Sequence, residues 1–596
     1  MERGYEMKSS KINLPNIWGQ GACFSYSGLN GENTFTNSLV GYLLGDCIGV
    51  EFKTPVRSYI KFKLTDTQNV LYDAVTSDLI KAHIVDMQGN EHEFNIMYAN
   101  ENTVVVKTTN RTKMKIDFDE DMNEMVIDDV KIYTNDVLKF AYYEKAYGEI
   151  VQMAFSYGEN AEKDAASACD VDTDAIVKER IAFYEALERP EFKDEDEERL
   201  YYKCFSVMKS MIYTPEEPIK TRWTTPDRHP HKRMWLWDSA YHSVGMKYIS
   251  KEMGEDTIRA MFCHQDKDGY ISHSVSPLGR LEGRTQPPLL AWAVYELYKE
   301  FNDTAFVSEM FEKLEGYVKW DFKNRDINNN GLLEWVINEK PEDGDHIHSR
   351  GGESGMDNTP RFDGESRADS IDFSAFIANE ARCLSCLARA IGKEEKAKEW
   401  NDIFERTKAK INELLWDDED KFYYDRRLSD GTFIKVKSVA SFLPLFAGVC
   451  DEDKALYLVE HLNNPDEFGT PFMIPTVSAD DKTYKTMDMF RGTVWLNFNY
   501  LIAQGLEEYG YRELATELRE STIEMLKKWY LSDGVIYEFY DSRDKVSPSR
   551  LPRKGPAMQP YLQDVKVQSV RDFSWGACFV VDFILRRKNH GNSGNL

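Results

Sequence analysis

The spacing of apolar residues changes once along the chain, near residue 195. Between about Val56 and Val151, short runs rich in Val, Ile, Tyr and Thr alternate with turn-forming segments such as DMQGNE. Strands this short and this regularly spaced are typical of antiparallel sheets packed in two layers. The pattern therefore predicts an N-terminal antiparallel β-sandwich domain over residues 1–165, followed by a helical linker over residues 166–194.

From residue 195 onward, apolar residues recur at i, i+3, i+4 and i+7, which is the spacing of amphipathic helices. About twelve such segments lie near residues 195–213, 237–253, 255–264, 287–301, 303–322, 371–391, 393–415, 436–447, 451–461, 491–508, 511–530 and 571–586. Periodicity alone does not separate an irregular bundle from a ring of six helical hairpins. The long Gly-rich connections fall between the helices, which favours a rigid ring with loops on one face. We predict a mainly α catalytic domain over residues 195–590.

Charge and the length of apolar runs exclude several classes of protein. The 596-residue chain carries a formal charge of −27 and no stripe of Lys and Arg, so it would repel a nucleic acid. Its most apolar stretches, such as GACFVVDFIL, have about half of the roughly 20 residues that a membrane-spanning helix needs. The expected partner is therefore a small molecule, with no nucleic acid and no membrane involved.

The N-terminal residues and the cysteines bear on the cellular compartment. The first residues, MERGYEMKSSKINLPNIW, lack the apolar core of a secretory signal. The nine cysteines are scattered, and Cys383 and Cys386 lie three apart on a predicted helix, which usually indicates buried thiols. These features predict a cytoplasmic protein. They leave its oligomeric state open.

Candidate chemistry begins in the long connection between residues 323 and 368, which exceeds the length of a plain connector. It contains the string RGGESGMDNTPRFD. Gly355 allows the backbone to approach a ligand closely, and Asp357 follows it. A single Asp in such a loop is usually solvated, but the surrounding string changes that interpretation.

The string GMDNTPRFD resembles the general-acid segment of glycoside hydrolase family 63 and its relatives, which include trehalases and mannosylglycerate or glucosylglycerate hydrolases. Five further strings resemble segments of that family in the same order: MWLWDSAYH (234–242), RTQPPLLAW (284–292), FRGTVWLNFNYLI (490–502), IYEFYD (536–541) and DFSWGACF (572–579). Thr359 and Thr493 stand where the family often has Ser and Pro, which blurs the subfamily.

The resemblance implies an (α/α)6-barrel fold and an inverting α-glycoside hydrolase. By the resemblance, Asp357 is the general acid and Glu538 is the general base. One carboxylic acid protonates the leaving oxygen, and a carboxylate on the opposite face of the sugar ring deprotonates water. Because the two residues lie 181 positions apart, only a closed scaffold can bring them to face each other.

The resemblance also implies the residues that line the sugar site. Trp237 would stack on the ring of the cleaved sugar, and Asp238 would accept hydrogen bonds from two hydroxyls. The other matched positions are Arg284, Gln286, Gly355, Arg361, Arg491 and Trp495. Glucose and mannose differ at one hydroxyl, so these matches leave the sugar open. Short oligosaccharides or small conjugates are the expected substrates.

Two strings raise the question of a metal. Asp326, Asn328, Asn330 and Gly331 match the first half of an EF-hand loop, but Ile337 stands where the twelfth position needs a Glu. A structural calcium and an Asx-rich turn both remain open there. The strings DRHPH (227–231) and DHIH (345–348) do not have the spacing of a helix-borne zinc pair. No cofactor is expected for catalysis.

Alternatives of other classes also remain. A barrel of this type could belong to a phosphorylase or a sugar epimerase. Epimerases of this architecture use paired His residues, and no His lies in a comparable motif here. A phosphorylase needs an anion site in place of the base Glu538. The chain could also be a carbohydrate-binding protein without activity, although it retains both carboxylates.

Overall fold

The structure is a computed structural model that describes residues 12–109, 112–337, 351–364, 367–555, 557 and 567–591. The DHIH string and the first eleven residues of the predicted β-domain lie outside the described residues.

The N-terminal region consists of antiparallel strands. Their bounds are β1 (Cys23–Ser25), β2 (Val40–Leu43), β3 (Gly49–Phe52), β4 (Ser58–Lys63), β5 (Thr67–Val75), β6 (Leu79–Asp86), β7 (Glu91–Asn100), β8 (Thr103–Thr108), β9 (Lys113–Phe118), β10 (Asn123–Ile127), β11 (Val130–Thr134), β12 (Lys139–Tyr147) and β13 (Ile150–Tyr157). Over the described residues, one sheet has the order β1-β2-β3-β4-β9 and the other β10-β11-β12-β13-β8-β7-β6-β5. The predicted N-terminal antiparallel sheet domain is confirmed.

Aromatic side chains join the two sheets face to face. The rings of Phe62 on β4 and Phe94 on β7 lie 5.2 Å apart. On β4, buried side chains alternate with more exposed ones, as expected for a strand with one face in a core. The layer between the sheets continues into the core of the helical region as one cluster of buried residues.

Two helices cover the other face of the larger sheet, α1 (Ala161–Ala168) and α2 (Thr173–Glu185). Ala161, Ala165 and Ala168 lie on one side of α1 and pack in a separate apolar cluster with small residues of the sheet such as Ala154. Residue 165, the predicted end of the first domain, falls within α1. The division into domains stays a prediction.

Twelve further helices lie within the described part of the chain. Their bounds are α3 (Glu195–Ser210), α4 (Leu236–Met246), α5 (Lys251–Met261), α6 (Leu290–Phe301), α7 (Thr304–Arg325), α8 (Ile371–Ala390), α9 (Glu394–Leu414), α10 (Leu443–Ala447), α11 (Glu452–Asn463), α12 (Leu496–Glu508), α13 (Arg512–Asp533) and α14 (Ser574–Gly591). Each of the twelve predicted amphipathic segments overlaps one of them. None of the helices in the described ranges is long and apolar enough to cross a membrane.

Six of these helices contact one another in a closed cycle. Helix α4 packs on α6, α6 on α8, α8 on α10, α10 on α12, α12 on α14, and α14 returns to α4. Helix α4 is buried along its whole length. Helices α3, α5, α7, α9 and α13 each pack against one or two members of the cycle, and α9 buries only one face. The cycle surrounds an apolar core, and the loops between its helices carry the candidate site.

Asp572 connects the sheet domain to one of these loops. Its carboxylate accepts hydrogen bonds from the backbone N–H of Cys23 on β1 (2.9 Å) and from that of Ile536 (3.1 Å). Lys203 of α3 pairs with the same carboxylate at 2.9 Å. The loop that contains Glu538 is therefore anchored to both parts of the molecule.

Candidate active site

Eight residues singled out in the sequence border one cavity of about 250 Å³. They are Trp237, Asp238, Arg284, Gln286, Gly355, Asp357, Trp495 and Glu538. The cavity is near the lower end of the roughly 300–1,000 Å³ that small-molecule sites occupy. Both predicted catalytic carboxylates thus reach the same small space from loops that are distant in sequence.

The indole of Trp237 and the backbone at Gly355 are in close contact. Trp237 lies in the first turn of α4, where its ring meets the ring of Trp575 edge-on at 5.5 Å. Gly355 has φ of +73°, and a Cβ atom on it would lie 2.5 Å from Cζ2 and Cη2 of Trp237. Only glycine therefore fits here. The loop that carries Asp357 rests on the indole.

Asp238 and Gln286 flank Trp237. Burial raises the pKa of the Asp238 carboxyl well above its ordinary value, and the nearby carboxylates of Glu538 and Asp227 raise it further. Gln286 Oε1 accepts a hydrogen bond from the backbone N–H of Trp237 at 3.4 Å. A carboxyl group and an amide both offer the kinds of hydrogen-bonding atoms that the hydroxyls of a sugar require.

Asp357 forms an ion pair with Lys554. Burial raises the pKa of Asp357, but the Lys554 ammonium and the guanidinium groups of Arg553 and Arg284 outweigh burial and hold the pKa below its ordinary value. The loop is closed by a hydrogen bond from the backbone N–H of Gly351 to the carbonyl of Asp357 at 2.9 Å. These surroundings favour a carboxylate at this position.

Glu538 is buried and held from two sides by Arg553. Arg553 Nε donates to Oε2 at 3.0 Å, and Nη2 donates to Oε1 at 3.2 Å. The backbone N–H of Glu538 donates to the carbonyl of Val570 at 2.9 Å. This two-point contact fixes the plane of the carboxylate.

His231 supports Arg553 from behind. Its Nε2 lies 3.3 Å from Arg553 Nη2, and its Nδ1 lies 2.6 Å from Asp227 Oδ2. Because a guanidinium only donates, Nε2 must accept, so Nδ1 carries the proton and donates to Asp227. In the sequence, the pattern DRHPH raised only the question of metal binding. In the structure it supplies a hydrogen-bond chain to Glu538.

Trp495 belongs to a stack of aromatic rings at the cavity wall. Phe490 lies parallel to it at 4.0 Å, and Phe539, next to Glu538 in sequence, lies at 5.1 Å. Trp495 Nε1 donates to the carbonyl of Met489 at 3.1 Å. The stack links the start of α12 to the Glu538 loop.

Arg361 and Arg491 do not border the cavity. Arg361 donates to both carboxylate oxygens of Asp372 at 2.9 and 3.0 Å and pairs with Asp425 at 3.0 Å. Arg491 Nε donates to the carbonyl of Asn358 at 2.7 Å. Both arginines thus hold the segment that follows Asp357. Their direct contact with substrate stays a prediction.

The loop considered for calcium is closed by its own hydrogen bonds. Asp326 accepts from the backbone N–H groups of Asn330 (2.9 Å) and Gly331 (3.0 Å). The side chain amides of Asn328 and Asn330 donate to Asp369. Across the described residues, no cluster of three or more His, Cys, Asp and Glu side chains is arranged to hold a metal ion. A calcium ion here stays untested.

Among the cavity residues that the sequence did not single out are the consecutive Arg553 and Lys554. Their loop is held by Asp488, whose carboxylate accepts from the backbone N–H groups of Lys554 (2.6 Å) and Gly555 (3.1 Å). A basic pair before a glycine is usually a solvated turn. Its distance of 15 positions from Glu538 was the only signal available.

The sequence around this site matches a known class of enzymes. Residues 230–546, more than half of the chain, match the family model of the mannosylglycerate hydrolase MGH1-like glycoside hydrolase domain. The protein is therefore a glycoside hydrolase. It belongs to this MGH1-like family, as the resemblance in the sequence predicted.

Curated relatives agree with this assignment. An uncharacterized protein of Borreliella burgdorferi is 28% identical to this chain over a region that makes up 42% of this chain and 48% of that protein. The mannosylglycerate hydrolase of Thermus thermophilus is 26% identical over 53% of this chain and 91% of its own length. MGH1 of Selaginella moellendorffii, a mannosylglycerate hydrolase, is 26% identical over 53% of this chain and 77% of its own length.

Two solved structures share the fold. The Thermus thermophilus family 63 mannosylglycerate hydrolase, crystallised with Tris and D-glycerate, has a TM-score of 0.52 at 22% identity and covers 64% of this chain and 99% of its own. A bacterial glucoamylase crystallised with acarbose has a TM-score of 0.59 at 11% identity and covers 97% of both chains. At these identities the likeness concerns the fold alone.

Proposed function

We propose that the protein is an inverting α-glycoside hydrolase in which Asp357 is the general acid and Glu538 the general base. The observation that carries this proposal is the meeting of the two carboxylates in one small cavity beside Trp237 and Asp238. Trp237 offers a flat face to a sugar ring, and Asp238 offers a carboxyl to its hydroxyls. A binding protein without activity has no need of two carboxylates in different charge environments.

The proposed reaction is a single displacement. Asp357 donates its proton to the glycosidic oxygen as the bond to the anomeric carbon breaks. Glu538, oriented by Arg553, takes a proton from the water that attacks the opposite face of the sugar. His231 and Asp227 keep Arg553 in place during this step. The products are a free sugar of inverted anomeric configuration and the alcohol of the leaving group.

We further propose that the helical region is an (α/α)6 barrel. The closed cycle of α4, α6, α8, α10, α12 and α14 supports an inner ring of six helices. The likeness to the glucoamylase fold over 97% of both chains supports the combination of a sheet domain with such a ring. The candidate site then lies where the loops of the ring converge, which is where a rigid scaffold most often carries function.

The proposed substrates are small α-glycosides of mannose or glucose. A cavity of about 250 Å³ suits a short substrate, and several relatives are mannosylglycerate hydrolases. Mannosylglycerate and glucosylglycerate are therefore the first compounds to assay, with trehalose as a comparison because relatives also include a cytosolic neutral trehalase. We infer a cytoplasmic location because the nine cysteines are scattered along the chain, which suits a reducing compartment.

Early-time proton NMR tests the mechanism. We expect the β-anomer of the released sugar to form first from an α-linked substrate, followed by mutarotation. Initial release of the α-anomer would rule out the single displacement. Absence of any hydrolysis across the gluco and manno substrates would argue against the activity itself.

A further inference from the structure

A second cavity, of about 440 Å³, lies at the other end of the helix cycle. Gln286 and Trp495, which come shortly before α6 and α12, border the candidate active site. Lys299 and Glu507, in the last turns of the same two helices, border the second cavity. At 1.5 Å of rise per residue, helix α12 separates the two cavities by roughly 18 Å. Helices α8, α10 and α14 also contribute to the second cavity.

This second cavity has a buried floor and an exposed rim. Trp292, Asn379 and Phe446 form the floor and are at most 2% exposed, and the rings of Trp292 and Phe446 meet edge-on at 6.0 Å. Lys299 and Glu508 at the rim are exposed. The volume lies in the range of about 300–1,000 Å³ that small-molecule sites occupy. The cavity therefore has both the depth and the size of a ligand site.

Two hydrogen-bond donors on the floor lack an acceptor. Asn379 Oδ1 accepts from Arg382 Nη2 at 3.0 Å. Because a guanidinium only donates, this contact fixes the orientation of the amide and leaves Nδ2 as its free end. Neither Asn379 Nδ2 nor Trp292 Nε1 has a hydrogen-bond partner among the described residues. A buried donor without an acceptor is costly, so a ligand that brings acceptors into the cavity would gain from both.

The charges around the second cavity are already paired. Glu296 pairs with Lys299 at 2.6 Å and with Arg586 at 3.0 Å. At the rim, Arg382 pairs with Glu508. Glu507 pairs with Arg519, which lies outside the lining. A charged ligand would have to disrupt one of these pairs, whereas a neutral ligand leaves them intact.

We propose that the second cavity is a binding site for a neutral polyhydroxylated molecule, namely a monosaccharide or a polyol. Its hydroxyl oxygens accept from Trp292 Nε1 and Asn379 Nδ2, and Trp292, Tyr295 and Phe446 supply apolar surface for its C–H groups. The site goes beyond the proposed function, because neither of the two proposed catalytic carboxylates borders this cavity. Ordered water is the competing occupant, since polar cavities in proteins commonly hold it.

NMR of the tryptophan indole N–H groups reports on this site directly. In protein labelled with nitrogen-15 tryptophan, each of the twelve Trp residues gives one indole signal. The signal that is missing from Trp292→Phe belongs to Trp292, and the one missing from Trp237→Ala belongs to Trp237. The probes are D-mannose, D-glucose and sorbitol, with D-glucosamine and D-glucuronate as positively and negatively charged analogues.

We expect a saturable shift of the Trp292 signal with at least one of the neutral probes. In the wild type, this shift should follow a different binding curve from that of Trp237. It should also persist in Trp237→Ala, in which the aromatic platform of the candidate active site is removed. The charged analogues should bind at least about tenfold more weakly, because each one disturbs a paired charge.

An exchange at Asn379 tests the role of the free donor. Asn379→Asp keeps an oxygen facing Arg382 and replaces only the free Nδ2, so the dissociation constant should rise by roughly tenfold, the upper range for one hydrogen bond. The control is Asn463→Asp, the same chemical change at the exposed end of α11, which should leave the dissociation constant unchanged.

Three results would overturn the site. A Trp292 signal that stays constant up to the solubility limit of every neutral probe would show that water alone fills the cavity. A shift that follows the Trp237 curve and disappears in Trp237→Ala would make it a remote effect of binding at the candidate active site. Tighter binding of a charged analogue would refute the neutral class of ligand. Each measurement is made without turnover, so these outcomes are independent of the hydrolase function.

Discussion

Replacing Gly355 by Ala should disturb the contact between Trp237 and the Asp357 loop, and it should lower activity far more than it lowers the stability of the fold. A Cβ at this position would lie 2.5 Å from the Trp237 ring, whereas carbon atoms in contact prefer about 3.5–4.0 Å. Either the indole or the Asp357 loop must therefore move by about 1 Å. A misplacement of that size near the chemistry costs roughly 100-fold in rate. We expect kcat/KM of Gly355→Ala to fall by about that factor on any α-glycoside that the wild type hydrolyses.

The matched control is Gly392→Ala, between α8 and α9. Gly392 has φ of +72°, almost the value of Gly355, but no atom lies within 4 Å of the point that its methyl group would occupy. Both variants pay the left-handed backbone cost of roughly 1–2 kcal/mol, which urea unfolding measures. Only Gly355→Ala should lose activity strongly. If both variants kept kcat/KM within about twofold of the wild type, the contact between Trp237 and the Asp357 loop would have no part in substrate binding, and our placement of the sugar would be refuted.

Two further predictions concern residues outside the cavity. Arg361→Met breaks the buried ion pairs of Arg361 with Asp372 and Asp425. We therefore expect a loss of about 3–5 kcal/mol in the free energy of unfolding, with KM almost unchanged. A raised KM at unchanged stability would instead make Arg361 a substrate ligand. His242 lies between Thr224 and Ser574, and burial lowers its pKa to about 3, whereas an unfolded chain binds this proton near pH 6.5. The contribution of His242 to stability is therefore complete above pH 6.5 and declines as pH falls toward 3. The difference in free energy of unfolding between the wild type and His242→Gln should accordingly shrink on acidification. A difference that stays constant with pH would contradict the buried neutral state.

The spacing of apolar residues predicted the bounds of helices with one buried face, such as α9, better than those of fully buried helices, such as α4. Helix α9 buries Ala397, Trp400, Phe404, Thr407 and Ile411, the spacing that marks one apolar face. The sequence pattern predicts that α4 continues to residue 253, but the helix ends at Met246. Because α4 is buried all round, no change of pattern marks its end. The next helix begins after Ser250, whose side chain accepts a hydrogen bond from the backbone N–H of Met253.

The sheet domain shows a similar limit. Strands β4, β7, β8 and β9 have six or more residues each and lie within the region between Val56 and Val151 that was predicted to form strands. Strands β1 to β3 have three or four residues each, too few for alternation to be visible. Their pairing is decided by packing on the opposite sheet, which a single sequence does not reveal.

In the candidate site, motifs identified the residues that contact the cavity through short, specific strings. The motifs did not identify the basic residues that form ion pairs with the two carboxylates. Lys554 and Arg553 stand in a basic turn whose composition indicates only solvent exposure, and their ion pairs with Asp357 and Glu538 exist because the loop folds back over the cavity. Arg361 and Arg491 show the converse, since their strings match the family while their side chains hold the loop rather than border the cavity.

The proposed mechanism requires that Asp357 supplies the proton for the leaving group and that Glu538 activates water. It is tested most directly by comparing Asp357→Asn with Glu538→Gln on an α-glycoside and on the corresponding α-glycosyl fluoride. A general acid contributes about 10²–10⁴-fold when the leaving group needs a proton, and fluoride departs without one. Asp357→Asn should therefore lose most of its activity on the glycoside but far less on the fluoride, with a melting temperature close to that of the wild type. Glu538→Gln should lose activity on both. Equal losses on the two substrates for Asp357→Asn would contradict the assignment of the acid.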